Sequence, residues 1–418
     1  MTHRLMKNAL LITAACLLAL LSTIGASLSY PILPPLFASG AINGLNQFLG
    51  LPPKLLFGVA LMINPLGLLI GSAVLGSMSD RYGRRPVLLA TGLGAAVGHA
   101  ATALAMLAES YPLFILARFV TGLLEGNGAV ARAMLAERLD GQLRQRALGW
   151  LNGAFHLGWL AGPLLGGVTV GFGLTVPFWI AAGAMLGVAL LVASVMPRAE
   201  VPPGAALAAG SWWLVARERH ALNLVRHGEL RQLFILHLAM TCGITAFYEF
   251  YPLWLVEVAH YDAQSIAAAN VGLCGVMTLA AVMAGRAAEA PPMRRAGRHA
   301  LALAVAVGSL GLGHLWVGLV GIVLFGIPNA FYNNTVQHWA AGRFGGHGQG
   351  AVMGLLSTTF CLANILMALA GSVLTLVDTR LILVLGAALS AWSGWNWLQW
   401  GRQVLPPLPP ASAAELAD

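Results

Sequence analysis

The chain has 418 residues, of which 58% are apolar and only 9% carry a charge. A soluble chain carries about 25% charged residues, so a soluble globular domain is excluded. Long apolar runs recur from end to end with no short alternating segments, which excludes a membrane β-barrel and predicts an all-α polytopic membrane protein. The net charge of +8 suggests no nucleic-acid partner, because it follows the positive-inside rule. Arginines and lysines fall before the first apolar run, after every even-numbered run and near the C-terminal end, and the opposite loops hold little beyond Lys54 and Arg380. Both ends of the chain are therefore expected in the cytoplasm.

Taken in order, the apolar runs predict spans at 8–30, 55–78, 86–107, 112–136, 146–170 and 174–196. A second set follows at 231–258, 264–285, 299–316, 319–338, 350–374 and 378–400. The first run meets Tyr30-Pro31 and Pro34-Pro35 in place of a small-residue cleavage site, so it reads as a retained span. The ninth and tenth spans run together except at Gly311, Gly313 and His314. An odd count would spoil the charge asymmetry, so twelve spans are expected. Cys16, Cys242, Cys274 and Cys361 lie scattered in apolar runs, with neither metal spacing nor a disulfide framework.

The longest polar stretch, 197–230, divides six spans from six. This predicts an N-terminal bundle at 1–196, a linker at 197–230, a C-terminal bundle at 231–402 and a tail at 403–418. Within the linker, Trp212-Trp213 followed by arginines suits either a short interfacial helix or a plain solvated segment. The Pro-rich tail is expected to be disordered. The halves carry a faint repeat. Aligning 144–167 with 349–372 at one offset sets Gly149 on Gly354 and Gly166 on Gly371, and the charged turn at 80–85 has a worn counterpart at 289–298.

Three local patterns stand out: Gly76-x-x-x-Asp80-Arg81-x-Gly83-Arg84-Arg85 between spans two and three, Arg118-Phe-x-x-Gly122 in span four, and Gly158-x-x-x-Gly162-Pro163-x-x-Gly166-Gly167 in span five. Together they resemble the major facilitator superfamily, and within it the twelve-helix drug/proton antiporters near the bacterial tetracycline exporters. The resemblance implies two six-helix pseudo-repeats. It also implies that Asp80 and Arg84, with Glu137 at the end of span four, form a charge-assisted latch, and that the span-five motif marks an antiporter. Its glycines allow close helix approach and Pro163 permits a kink. The tetracycline exporters carry an acid in the first span; here Ser22 stands in the matching place and the span holds no acid.

Charges inside a span are costly, roughly 3 kcal/mol at the bilayer centre, and imply use. Arg118, Glu125 and Arg132 are spaced by seven residues, which predicts one shared helical face. Span seven holds Glu249 within Phe247-Tyr248-Glu249-Phe250-Tyr251. Span ten holds Asn329, Asn333, Asn334, Gln337 and His338, and span five holds His156. Spans one, four, seven and ten line the cavity in the family resembled, which would turn Glu125, Glu249, Asn333 and Asn334 toward the transported molecule. Desolvation penalises the charged form of a carboxylate, so one in an apolar vestibule can take a proton from one side and release it to the other. Glu125 is the first choice for that role and Glu249 the second. Glu125 as a fixed partner of Arg118 or Arg132, Glu249 as a cation-binding group among aromatics, and His156 as a packing residue are the competing readings.

The expectation is a secondary transporter of a bacterial cytoplasmic membrane, monomeric, needing no cofactor beyond a proton gradient and exporting a small organic molecule. A dedicated exporter or importer of one metabolite, such as a siderophore, is the nearer alternative. A membrane-embedded enzyme is the remote one, since the short loops hold no His, Asp or Glu cluster.

Overall fold

The computed structural model describes residues 2–38, 41–196, 221–284, 291–344 and 349–403, and they are helical nearly throughout. The helices are α1 (Thr2–Ser27), α2 (Leu33–Ala38), α3 (Pro53–Tyr82), α4 (Arg84–Leu107), α5 (Tyr111–Glu125), α6 (Gly128–Arg138), α7 (Gly141–Thr169) and α8 (Val176–Val195). Then come α9 (Gly228–Ala259), α10 (Ala263–Ala284), α11 (Pro292–Gly311), α12 (Leu315–Arg343), α13 (Gln349–Leu374) and α14 (Thr379–Trp400). Counting α5 and α6 as one span, eleven of the described segments are long and apolar enough to cross a membrane. The twelfth is α11, whose first two turns carry Arg294, Arg295 and Arg298. The Trp212-Trp213 segment, Glu289 and the tail beyond 403 lie outside the described residues.

Two boundaries differ from expectation for physical reasons. The ninth span starts at Pro292, seven residues before the expected 299, because arginine is a good helix former and Pro291-Pro292 supplies a helix start. The fourth span is not one continuous helix. At Gly126 and Asn127 the backbone has ψ of 10° and −2°, far from the helical value near −42°. The register therefore slips between Glu125 and Arg132, and the single stripe expected from seven-residue spacing does not form. Gly313, with φ of +69°, makes the break between α11 and α12, a conformation that suits glycine.

The chain divides into two compact units, Met1–His220 with Asp262–Ala267, and Ala221–Tyr261 with Ala268–Asp418. Within each, helices approach on faces of small residues. Gly67 and Gly71 of α3 lie against the α5 backbone at Phe119 and Leu123, while Gly122 of α5 and Gly126 just past its end lie against Asn64 and Gly71 of α3. Gly158 and Gly162 of α7 meet α1 at Thr23 and Ser27, and Gly166 meets Leu28 just past its end. Lipid offers no hydrophobic drive for helix association, so packing at this range supplies it. The repeat seen in the sequence is also a packing repeat: Gly166 sits on Leu28, just past α1, in the first unit, and the aligned Gly371 of α13 sits on Phe250 of α9 in the second.

Gly149 stands exposed on α7 with open space at its Cβ position, whereas a Cβ at Gly162 would collide with Ser27 Oγ and reach 2.9 Å from the Ile24 carbonyl. Gly149→Ala is expected to leave stability unchanged or raise it by up to about 1 kcal/mol, and Gly162→Ala to lower it by about 1–3 kcal/mol. Thermal unfolding of both variants in detergent checks this contrast; equal behaviour would deny the close α1–α7 contact.

Candidate functional site

At one end of the first unit, α3 runs out at Tyr82, Gly83 takes φ of +92°, and α4 starts at once. That turn sets Asp80 and Arg84 side by side. Arg84 Nη1 lies 2.5 Å from Asp80 Oδ1, and Arg84 Nη2 lies 2.5 Å from Glu137 Oε1 at the end of α6. Arg84 Nε donates to Glu137 Oε2 at 3.3 Å, and Nη1 also reaches Ser79 Oγ. The other two arginines have separate work. Arg85 donates to the Ala193 carbonyl in the last turn of α8 at 2.7 Å, and the Arg81 guanidinium lies 5.6 Å from the Tyr82 ring. Gly76 has open space around it. One guanidinium thus ties three helices, with both carboxylates about half exposed.

Arg118 is 2% exposed and makes no bond to Glu125. Its Nη1 donates to the Gly25 carbonyl at 3.2 Å, and its Nη2 to the Ala26 carbonyl at 2.9 Å and to Ser29 Oγ at 3.3 Å. These carbonyls belong to the last turn of α1, where helical partners run out. Leu28 and Tyr30 backbone N–H groups take the Ile24 and Ser27 carbonyls, so the whole turn is satisfied. A cation at a helix C-terminus also complements the helix dipole.

Glu125 ends α5 and is 2% exposed. His99 Nε2 of α4 lies 3.0 Å from its Oε1, and Asn64 Nδ2 of α3 donates to its Oε2 at 3.2 Å. Asn64 Nδ2 also donates to the Arg118 carbonyl at 3.3 Å, and since a carbonyl can only accept, this fixes which way the amide points. Gly25 of α1 completes the enclosure: a Cβ there would run into His99 Nε2 and Glu125 Oε1. Four helices thus close on one polar cluster. His99 is fully buried, and its Nδ1 has no hydrogen-bond partner among the described residues.

In the second unit, Glu249 of α9 is 1% exposed, and neither carboxylate oxygen has a hydrogen-bond partner among the described residues. The neighbouring aromatics are engaged with other helices. Phe247 stacks on Phe325 of α12, with centroids 3.8 Å apart; Tyr251 Oη donates to Asn270 Oδ1 of α10 at 3.2 Å; and Asn329 Nδ2 contacts Tyr248 Oη at 3.4 Å. Asn333 Nδ2 donates to Asn329 Oδ1 at 2.8 Å. Asn334 is half-buried one position around α12 from that chain of bonds.

The remaining expected residues separate. Arg132 donates to the Gly128 carbonyl at 3.3 Å and lies 5.2 Å above the Phe155 ring, not beside Glu125. Neither arginine is thus the partner of Glu125; the helix interruption turns one away and the α1 terminus engages the other. Ser22 is buried on α1. Pro163 lies inside α7, Gly167 meets Ala263 and Ala267, and the side chain of His156 lies outside the described residues. His99 and Asn64 were missed by sequence reasoning. Each is a lone polar residue in an apolar run, a signal of intramembrane function, but nothing in the sequence says that the two meet.

Removing one member of a buried hydrogen-bonded pair leaves a polar atom of the other without its partner. His99→Leu is expected to cost about 1–3 kcal/mol, and His99→Leu with Glu125→Leu much less than the sum of the single changes. Thermal unfolding of the three variants reads this; additive losses would mean that the two groups do not interact.

A family model described as Major Facilitator Superfamily matches residues 15–368. Over 174 residues the chain is 36% identical to the class C tetracycline resistance protein of Escherichia coli, covering 41% of each chain. Over 222 residues it is 30% identical to the multidrug resistance protein MdtL of Escherichia coli strain K12 / DH10B, covering 52% of this chain and 54% of that one. The matched segments thus span about half the length of these relatives or less. Among solved structures, a D-xylose-proton symporter superposes with a TM-score of 0.72 at 15% identity, covering 96% of this chain and 98% of that one. The human organic anion transporter MFSD10 gives 0.66 at 20% identity, covering 93% and 99%. At such identities the structures show a shared fold alone. With helical architecture throughout the described residues and a family match across most of its length, the chain belongs to the Major Facilitator Superfamily and is a multi-pass membrane protein.

Proposed function

We propose that this transporter exports a small organic molecule across a bacterial cytoplasmic membrane in exchange for protons, by alternating access, with both termini in the cytoplasm. The observation that carries the reading is Glu249: a carboxylate 1% exposed within a span, with neither oxygen hydrogen-bonded among the described residues. An ionised carboxylate left bare in such a place costs several kcal/mol. It is tolerable with its proton on, or with a cation beside it. A group that must hold either a proton or a cationic cargo is what an exchanger of the two requires. Occupancy then biases which state of the protein is favoured.

The buried cluster around Glu125 is the second coupling element, and the Asp80–Arg84–Glu137 cluster is the latch that holds one state. The tetracycline and multidrug resistance relatives support efflux of drug-like compounds, and the arginine and lysine distribution supports the orientation. A second reading keeps the mechanism and changes the cargo. The Asn333–Asn329–Tyr248 chain presents donors and acceptors that suit one polar metabolite, such as a siderophore. The protein works as a monomer in either case and needs no cofactor.

Everted membrane vesicles test the scheme with tetracycline and ethidium as probes. Accumulation is expected to depend on an imposed pH gradient and to collapse when an ionophore removes it; accumulation that ignores the gradient would sink proton coupling. Glu249→Gln is expected to abolish the gradient response while leaving gradient-independent exchange of the probe. Undiminished coupled transport in Glu125→Gln would remove that residue from the scheme.

A further inference from the structure

The buried cluster at Glu125 has one property that neither residue type alone supplies. Both carboxylate oxygens are engaged, Oε2 by the Asn64 amide and Oε1 by His99 Nε2. The amide direction is fixed by the Arg118 carbonyl, so Oε2 is an acceptor and cannot carry a proton facing Asn64. The pair therefore has two proton counts, each with a definite hydrogen pattern. With one proton, Glu125 is ionised, His99 Nε2 bears the hydrogen and donates to Oε1, and Nδ1 is a bare lone pair. With two, the Nε2–Oε1 line holds one hydrogen, nearer either atom, and Nδ1 holds the other. With Oε2 left as an acceptor, Nδ1 gains a hydrogen whichever partner carries the charge in the loaded pair.

We propose that His99 Nδ1, and not the Glu125 carboxylate itself, is the atom through which this cluster takes up and releases the coupling proton, with Glu125 and Asn64 as positioning residues. Loading moves a proton from hydronium to the Nδ1 lone pair and leaves water; release breaks that N–H bond and returns the proton to water. Two observations support the assignment independently of the counting. His99 is fully buried in a helix interior, yet its Nδ1 has no partner among the described residues. The other face of the imidazole–carboxylate contact is sealed by Gly25, where a side chain would collide with both groups.

The charges around the cluster are few. α8 carries none, and α1 carries His3, Arg4 and Lys7 only in its first two turns. Lys54, Asp80 and Arg81 stand at the ends of α3, and Arg84 and Arg85 at the start of α4. From α6, Arg132 lies over Phe155, with Glu137 and Arg138 in the last turn. Arg118, on α5 with Glu125, is the remaining one; its charge balances ionised Glu125 when His99 is neutral. Proton loading thus takes the Arg118–Glu125–His99 set from neutral to one positive charge inside a closed packing of helices, which gives proton uptake a structural consequence.

The inference rests on the antiport reading and is tested apart from it. Purified protein labelled with 15N-histidine and reconstituted in lipid is titrated by solid-state NMR, with the His99 signals assigned by difference from His99→Gln. Nε2 is expected to stay hydrogen-bonded throughout while Nδ1 passes from unprotonated to protonated, and Glu125→Gln is expected to displace that transition. Constant protonation at Nδ1 while the infrared carboxyl band lost in Glu125→Gln titrates would overturn the proposal. In everted vesicles, His99→Gln keeps a donor toward Oε1 but has no basic nitrogen, and it is expected to lose the gradient response to the probes that wild type shows. A retained response overturns the proposal. A wild type that ignores the gradient while Nδ1 still titrates overturns the antiport reading and supports the proton site.

Discussion

A lipid-embedded bundle has no water to settle its polar groups, so each ionisable side chain in a span must find a partner, give up its charge or sit at an end of its helix. That constraint orders this protein. Its arginines lie overwhelmingly at helix ends. The ones that penetrate have engagements of their own: Arg118 completes the last turn of α1, and Arg132 lies over an aromatic ring. Glu125 has an imidazole and an amide. Glu249 has neither among the described residues, and that is the observation behind the coupling role proposed for it.

The second constraint is distance. Side-chain polar clusters in a bundle need helices close enough to share them, and glycine makes room. The cluster around Glu125 exists because Gly25 gives α1 access to it and Gly122 lets α3 bring Asn64 up against α5. The glycines are therefore part of the site's chemistry as well as of the packing. The same economy appears at Arg84, where the φ of +92° at Gly83 joins two long helices without a loop and thereby sets Asp80 beside the guanidinium. A substitution at either kind of glycine would alter charge placement before it altered any charged residue.

The two carboxylates thus differ in kind. Glu125 belongs to a closed network in which both of its oxygens are hydrogen-bonded and one imidazole nitrogen of His99 is left over. Glu249 is buried with no hydrogen-bond partner for either oxygen among the described residues. In the exchange proposed above the two would have separate parts, the first answering to proton binding within a packed unit and the second to a charged or polar cargo.

Much of this was legible in the sequence. Composition fixed the solvent, run lengths fixed the spans, and the distribution of arginine fixed the expected orientation, because each depends on local transfer free energies that sum along the chain. The turn at 80–85 was legible for the same reason: Asp80 and Arg84 are one helical turn apart. The partners of Glu125 were not legible. His99 and Asn64 are 26 and 61 residues away, and only the crossing of α3, α4 and α5 on glycine faces brings them together. Seven-residue spacing suggested Arg118 and Arg132 as neighbours instead, and it failed because two residues, Gly126 and Asn127, leave the helical path. Sequence alone determined that charges are buried here. Tertiary structure decided which of them are satisfied, since hydrogen bonds between helices depend on approach and rotation that no single segment encodes.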